Sequence, residues 1–248
     1  MASRARDDAQ KVVDGSDIVF LTVPDNAIAP VCESLRWKGQ AAVHCSGAAE
    51  LSVLKAAGTS IGGFHPLVMF ADPEVAARNI AGAAIAVEAG EPLAASLRAM
   101  VEALKARLLV VPPGARAAYH AGAHFAAAFV CASVAQGVDI YSRIGIPQDD
   151  ALAALLGLLR GATDAMAHSG PTRAMAGSIA RGDLDTVKRH VEALERLDPK
   201  LRVFYCVMAL KTVPLSLAAG GMSAARAEEL RKFLETSARG PASAPPDQ

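Results

Sequence analysis

Polar side chains follow three short apolar runs in the first quarter of the chain. Val23, Pro24 and Asp25 end the first run, Ser46 and Gly47 end the second, and the third ends in the sequence Phe-His-Pro. The runs lack polar alternation, so we predict strands covered on both faces of a parallel sheet. Ligands bind outside the carboxyl ends of such strands. A carboxylate, a hydroxyl and an imidazole meeting there could bind a substrate oxygen and move its proton.

His65 is the side chain best suited to proton transfer. It precedes Pro66, which favours an extended backbone at a strand exit. An imidazole there can act as general acid or base, although bonding to turn carbonyls explains it equally well. Ser46 could position the same substrate oxygen or could cap the turn at Gly47.

His120 and His124 lie four residues apart, so they share one face of a predicted helix. The spacing suits a metal, but the glutamate of an HExxH motif is absent and no third ligand is adjacent. We therefore predict no metal site, and keep a zinc site as a minor alternative. Tyr119 and His120 are candidates for the mouth of a cleft, or for a packed helix face.

Arg181 and Asp183 flank predicted helix starts in the second half. Free N–H groups there could bind a substrate carboxylate with help from Arg181. The alternative, slightly favoured, is that Asp183 caps its helix and pairs with Arg181. His190 lies beside the apolar stripe of the same helix and suits either a substrate contact or a packed histidine.

The elements that must position these residues change in type near residue 113. Before it, strands and helices alternate; after it, we predict helices alone. The predicted domains are an α/β domain (1–113), an all-helical domain (114–238) and a disordered tail (239–248). The predicted strands are 17–23, 41–46, 60–65, 83–88 and 108–111. The predicted helices are 28–35, 51–57, 92–106, 115–144, 148–168, one starting at Gly170-Pro171, 184–197, 199–218 and one following Ser223 to about 237.

Composition narrows the function classes. The 248 residues include 25 basic and 25 acidic side chains and only 4% aromatics, which argues against nucleic-acid binding. Four cysteines are far apart with no CxxC pair, which is typical of free thiols. The first segment has no secretory apolar region, and residues 117–138 are predicted as a buried helix rather than a membrane span. We expect a cytoplasmic protein with no membrane partner.

Together these segments resemble a known family. The order is strand-VPD, strand-HCSG, strand-GFHPL, then a helical half with AYHAGAHF and SGPTRAMAGSIARGD. It is similar, over about residues 12–235, to a family of Rossmann-like NAD(P)-binding oxidoreductases. Those proteins carry an all-helical C-terminal domain of the 6-phosphogluconate dehydrogenase type. More distantly, the chain resembles pyrroline-5-carboxylate reductase, ketopantoate reductase and prephenate dehydrogenase.

The resemblance implies a role for each candidate residue. NAD or NADP would lie with its nicotinamide over Val23-Pro24-Asp25 and Ser46-Gly47. Ser46 and His65 match positions at the reacting centre of prephenate dehydrogenases, and Tyr119 and His120 would stand at the cleft mouth. The region of Arg181, Asp183 and His190 would face the cleft or a partner copy. A homodimer through the helical domain, acting on a small carbonyl, imine or hydroxy compound, is the expected protein.

The sequence departs from that family in one respect: it has no GxGxxG turn to cradle a pyrophosphate. In the usual strand order 3-2-1-4-5-6, residues 17–23 would form the fourth strand, and its edge would lie open. A truncated or misassigned start, cover by another chain or by residues 1–16, and loss of the cofactor are the three explanations. The alternative functions are a non-catalytic dimeric binding or scaffold protein and, more weakly, a metal-dependent enzyme using His120 and His124.

Overall fold

The computed structural model describes residues 8–239 and contains a five-stranded sheet in sequential order. The strands are β1 (Ile18–Leu21), β2 (Ala41–His44), β3 (Ile61–Pro66), β4 (Ala84–Ala89) and β5 (Arg107–Val110). β1, β2 and β3 are parallel, and so are β4 and β5, whereas β3 and β4 are antiparallel. The predicted α/β class is confirmed, with one reversal within the expected parallel sheet. Pro66 pairs with Ile85, so β4 starts where β3 ends and needs no crossover.

Helices cover both faces of this sheet. They are α1 (Ala9–Asp14), α2 (Asp25–Ser34), a 3₁₀ helix (Leu51–Ala57), α3 (Pro73–Asn79), α4 (Leu93–Ala103) and α5 (Arg116–Ala126). One core joins Val43 and Phe64 to Leu97 of α4, and the other joins Leu21 to Ile28 of α2. The two cores explain why the strand sequences are apolar at nearly every position. Sequence reasoning missed α3, although Asp72 caps it and Pro73 opens it.

The second half of the chain is helical, as predicted. It contains α6 (Ala128–Arg143), α7 (Gln148–Arg173), α8 (Leu184–Leu197), α9 (Pro199–Ala218) and α10 (Ala224–Arg239). α8, α9 and α10 share a core that includes Val187, Cys206 and Leu230. The predicted bounds of α8 and α9 are confirmed because aspartate caps begin both helices. The helix start predicted at Gly170-Pro171 is confirmed, because Gly170 has a non-helical φ of +77° and divides α7 into two helices that meet at a kink.

The predicted single helix over 115–144 is wrong in two respects. It is interrupted at Ala127, whose φ and ψ of −123° and −92° lie outside the helical region, so α5 and α6 are separate. It is also largely exposed rather than buried, since Val138 is the one buried residue of α6. By length and composition alone, residues 116–143 and 199–218 are apolar enough to cross a membrane, a test that core helices also pass.

The chain forms two compact units, one up to Val130 and one from Cys131. α5 therefore groups with the sheet, whereas the sequence-based boundary was placed at the end of the last strand. The predicted tail lies outside the described residues from 240 onward, and Arg239 ends α10.

Candidate functional site

The loops that leave β1 and β2 are joined by hydrogen bonds centred on Ser46. Its Oγ donates to Oδ2 of Asp25 at 2.8 Å and accepts from the backbone N–H groups of Ala48 and Ala49 at 3.2 and 2.9 Å. Ser46 therefore caps the turn and contacts the neighbouring loop at the same time. Asp25 is exposed at the first turn of α2, where the helix dipole favours a carboxylate.

His65, at the end of β3, is bonded to a tyrosine of α5. Its Nδ1 lies 2.8 Å from the hydroxyl of Tyr119. Burial, followed by the charges of His120 and Arg116, lowers the pKa of His65 to about 4. Burial raises the pKa of Tyr119 to about 12, so the phenol keeps its proton. At neutral pH this pair is uncharged, and the bond to Tyr119 fixes the ring orientation of His65.

Gly47 allows two imidazole rings to approach the turn after β2. A Cβ at this position would overlap the ring of His120 and would lie 2.9 Å from Cε1 of His65. The rings of His65 and His120 meet nearly edge to face, with centroids 5.8 Å apart. The structure thus brings Ser46, Gly47, His65, Tyr119 and His120 together at the carboxyl edge of the parallel strands.

Arg116, the first residue of α5, is a member of this site that sequence reasoning missed. It is fully buried, its Nη1 lies 3.1 Å from Oε2 of Glu88, and its Nη2 donates to the carbonyl of Ser46. The guanidinium packs against Gly63, where a Cβ would lie 2.6 Å from Nη1. Arg116 therefore connects the exit of β2, strands β3 and β4, and the start of the helix that carries Tyr119. No sequence signal marks this arginine as buried.

His44 lies beneath the site, at the end of β2. It is fully buried, and both of its ring nitrogens lack a hydrogen-bond partner among the described residues. Burial and the charge of Arg116 lower its pKa to about 4. A neutral buried ring suits a packing role, as expected from its place within the strand.

A cleft of about 370 Å³ opens beside His65. Its walls come from the chain that leaves β3 and from the junction of α5 and α6. The lining residues are His65, Leu67, Val68, Met69, His120, Ala123, His124, Ala126, Ala127 and Ala128. All of them belong to the first compact unit.

The other predicted substrate contacts lie in the second unit. Asp183 accepts from the backbone N–H of Thr186 at 3.1 Å and so caps α8, which confirms the capping part of the alternative that the sequence favoured. Arg181 lies two residues earlier, in the turn before α8. Nδ1 of His190 shares a 2.9 Å hydrogen bond with the hydroxyl of Tyr205 on α9. Their predicted role in substrate binding stays a prediction.

The two histidines on α5 are already partly engaged. Nδ1 of His124 donates to the carbonyl of His120 at 2.9 Å, and the two rings lie 4.7 Å apart. Within residues 8–239, no group of three or more His, Cys, Asp or Glu side chains is arranged to hold a metal ion.

Pro24 and Asp25 are exposed at the exit of β1, and the Ser46–Asp25 hydrogen bond joins this exit to the turn of Ser46 and Gly47 after β2. The described part of the chain contains no glycine-rich turn between a strand and a helix of the kind that holds a pyrophosphate.

Comparison with known proteins supports the fold. A family model described as "Domain of unknown function (DUF2520)" matches residues 83–212, just over half of the chain. No curated protein matches the sequence.

Three solved structures are similar across most of their length. A Thermotoga maritima protein has a TM-score of 0.67 at 21% identity, covering 90% of this chain and 79% of the other. A candidate NADP oxidoreductase from Bacteroides fragilis has a TM-score of 0.64 at 18% identity, covering 79% and 75%. The 1-pyrroline-5-carboxylate reductase of Streptococcus pyogenes has a TM-score of 0.56 at 15% identity, covering 90% and 79%. The resemblance seen in the sequence is thereby confirmed at the level of the fold.

Proposed function

The chain belongs to the family described as domain of unknown function DUF2520, and from the site of this member we propose an NAD(P)-dependent oxidoreductase. It would interconvert a small hydroxy compound and its carbonyl, or the corresponding amine and imine. Two structures of the same fold are named as a candidate NADP oxidoreductase and as a pyrroline carboxylate reductase, which agrees with this chemistry.

One observation carries the proposal. His65, oriented by a 2.8 Å hydrogen bond to Tyr119, lies beside a cleft at the carboxyl edge of three parallel strands. Ligands of doubly wound sheets bind at this edge. A titratable group that is held in place in a cleft and has a strongly perturbed pKa marks a candidate functional site, and an imidazole there can accept a proton from a substrate.

The pKa of His65 decides which proton step it favours. With a pKa of about 4, the ring is unprotonated at neutral pH and is a base. In the tautomer whose Nδ1–H donates to the Tyr119 hydroxyl, Nε2 carries the free lone pair. Nε2 would accept the hydroxyl proton of a substrate while a bound nicotinamide would take the carbon-bound hydrogen as hydride, so that the alcohol would become a carbonyl. His120, packed edge to face on His65, is proposed to help orient the substrate oxygen.

Val23, Pro24, Asp25, Ser46 and Gly47 are proposed to hold the nicotinamide end of the cofactor. When bound, NAD or NADP supplies the hydride acceptor or donor. The bond between Ser46 and Asp25 joins the two loops, so their relative position is set without the cofactor.

The experiment is a titration of the purified protein with NADPH, NADH, NADP⁺ and NAD⁺, followed by thermal unfolding. A cofactor that binds only the folded protein raises the melting temperature with concentration. We expect at least one dinucleotide to do so, and His65→Ala to abolish turnover while keeping that shift. No shift with any of the four would refute the proposal.

A non-catalytic binding protein is the second candidate. The specific observation in its favour is that residues 8–239 contain no glycine-rich turn between a strand and a helix to hold a pyrophosphate. The same titration separates the two candidates, because this one predicts no dinucleotide effect.

We also propose a cytoplasmic homodimer formed through the helical unit. Ile144, Leu158 and Met208 are large apolar side chains that are 60%, 71% and 47% exposed. A second copy covering them would remove apolar surface from water. Light scattering in detergent-free buffer should give the mass of two chains, and Leu158→Arg should give one. A single-chain mass for the unaltered protein would refute the dimer.

A further inference from the structure

The cleft beside His65 has a largely apolar lining. Leu67, Val68 and Met69 form one wall, and small alanines at the junction of α5 and α6 form the other. Its volume of about 370 Å³ lies within the range of small-molecule sites. The polar lining consists of the imidazoles of His65, His120 and His124.

None of the ten lining residues is a lysine, arginine, aspartate or glutamate. A carboxylate or phosphate entering this cleft would lose hydration and would find imidazoles, but no ammonium or guanidinium group, in the lining. His65 offers no compensating charge at neutral pH, since its pKa is about 4. Arg116 is fully buried, is committed to Glu88 and Ser46, and does not line the cleft.

Apolar surface continues from the cleft to its rim. Met69 is 54% exposed, and Phe125 and Phe129 on either side of the helix break meet edge to face with centroids 5.0 Å apart. Phe129 also contacts the ring of His124. A ligand that follows this surface inward would place its apolar body on the rim and walls and its polar atom beside His65.

Resting on the proposed function, we infer that the cleft takes an uncharged secondary alcohol or its ketone with an alicyclic or aromatic body, and discriminates against carboxylate-bearing analogues. In the alcohol direction, the O–H proton goes to Nε2 of His65 and the hydrogen on carbon goes as hydride to oxidised NAD(P). The carbon–oxygen bond becomes a carbonyl, so the two electrons leave with the hydride.

The test uses a pair of compounds that differ in one group. cis-3-Methylcyclohexanol and cis-3-hydroxycyclohexanecarboxylate are oxidised with NADP⁺ or NAD⁺ at pH 7.5, and kcat/KM is measured from the absorbance of the reduced cofactor. We expect at least a 100-fold preference for the methyl compound, because the carboxylate must be desolvated without an ammonium or guanidinium partner. Equal values, or a preference for the carboxylate, would overturn the inference.

A binding measurement separates this inference from the proposed function. Saturation-transfer NMR compares 3-methylcyclohexanone with 3-oxocyclohexanecarboxylate on the unaltered protein without cofactor. Selective binding of the methyl ketone without any turnover would retain the inference and refute the oxidoreductase. Turnover that favours the carboxylate compound would support the oxidoreductase and refute the inference. Binding of neither ketone would also overturn the inference.

Two arginine variants test whether the cleft itself sets the preference. Met69→Arg places a guanidinium on the cleft wall, whereas Phe70→Arg adds the same charge one residue further on, at a side chain that is 58% exposed and does not line the cleft. We expect Met69→Arg to shift the preference at least tenfold towards the carboxylate and Phe70→Arg to change it less than twofold. Equal effects of the two variants would overturn the assignment to this cleft.

Discussion

Substituting Gly63 by alanine tests whether Arg116 holds the site together. Gly63 stands directly opposite Glu88 in the β3–β4 pair, and the guanidinium of Arg116 occupies the space that a side chain would fill. A Cβ there would lie 2.6 Å from Nη1, 3.0 Å from Cζ and 3.1 Å from Nη2. The guanidinium must then move by roughly 1 Å to restore van der Waals contact. That displacement stretches its 3.1 Å bond to Glu88 and its bond to the Ser46 carbonyl.

The cost follows from the loss of charge-assisted hydrogen bonds in a buried place. Each such bond contributes about 1.5–3 kcal/mol, and the lower backbone entropy of unfolded alanine offsets about 0.4–1 kcal/mol. If the displacement costs one of the two bonds, Gly63→Ala should reduce the free energy of unfolding by roughly 0.5–3 kcal/mol. For a chain of this size, each kcal/mol lowers the melting temperature by about 2–4 °C.

A double-mutant cycle isolates the contact between the new Cβ and the guanidinium. Denaturant unfolding gives the cost of Gly63→Ala in the native background and in Arg116→Lys, whose side chain has no planar fork. We expect the cost to fall by at least about 1 kcal/mol in the lysine background. Gly62→Ala is the matched control, because its Cβ meets only carbons of Ala89, Leu93 and Leu97 at 3.2 Å. Equal costs of Gly63→Ala in both backgrounds would refute the role of Arg116.

Four further predictions concern the imidazoles and their surroundings. Because the pKa of His65 is about 4, kcat/KM for alcohol oxidation should rise tenfold per pH unit up to about pH 4 and stay level above that pH. An inflection of the profile near pH 6.5 would contradict this assignment. Tyr119→Phe removes the partner of Nδ1 and should lower kcat about 10–100-fold with little change in melting temperature, whereas an unchanged kcat would rule out an orienting role. Gly47→Ala should reduce turnover because its Cβ would displace the rings of His65 and His120. Gly90→Ala is the control, since its Cβ meets nothing within 4 Å and turnover should not change. Similar turnover rates for the two variants would contradict the crowding of the turn at Gly47. The pKa of His44 is about 4 in the folded protein and about 6.5 in the unfolded chain. Between these two values the folded protein binds fewer protons than the unfolded chain. The free energy of unfolding should therefore fall by up to about 3 kcal/mol as the pH drops from 6.5 to 4. Chemical denaturation across that range should give a flatter curve for His44→Leu, and an identical slope would contradict the assignment.

Local signals made the elements predictable. Apolar runs ending in Pro24 and Gly47 marked β1 and β2, and the sequence Gly-Asp before Leu184 marked the start of α8, where Asp183 caps the helix. No local signal marks the reversed direction of β4, because the direction of a strand depends on the end of the sheet at which the chain enters it. The break at Ala127 was missed because neither glycine nor proline marks it.

The candidate site was predictable only where a residue type announces its chemistry. His65 and Ser46 stood out because an imidazole and a hydroxyl follow strands, and the structure places both beside Gly47. Arg116 gave no such indication, since arginine at a helix start is ordinarily a solvated charge. Its burial depends on Glu88 across the sheet and on the space left at Gly63, and both lie far away in sequence.

Gly47, which follows β2, and Gly63, which lies within β3, therefore have a shared role that their sequence context conceals. Neither Gly47 nor Gly63 has a positive φ, so a turn conformation that only glycine tolerates does not explain them. Each instead leaves room for a side chain from α5: His120 at Gly47 and Arg116 at Gly63. Because these side chains lie four residues apart, they stand one helical turn from each other, and the two glycines fix how closely α5 approaches the sheet. The distance between Tyr119 and His65 then follows from the missing Cβ atoms, and a bulkier residue at either glycine would separate the base from its partner.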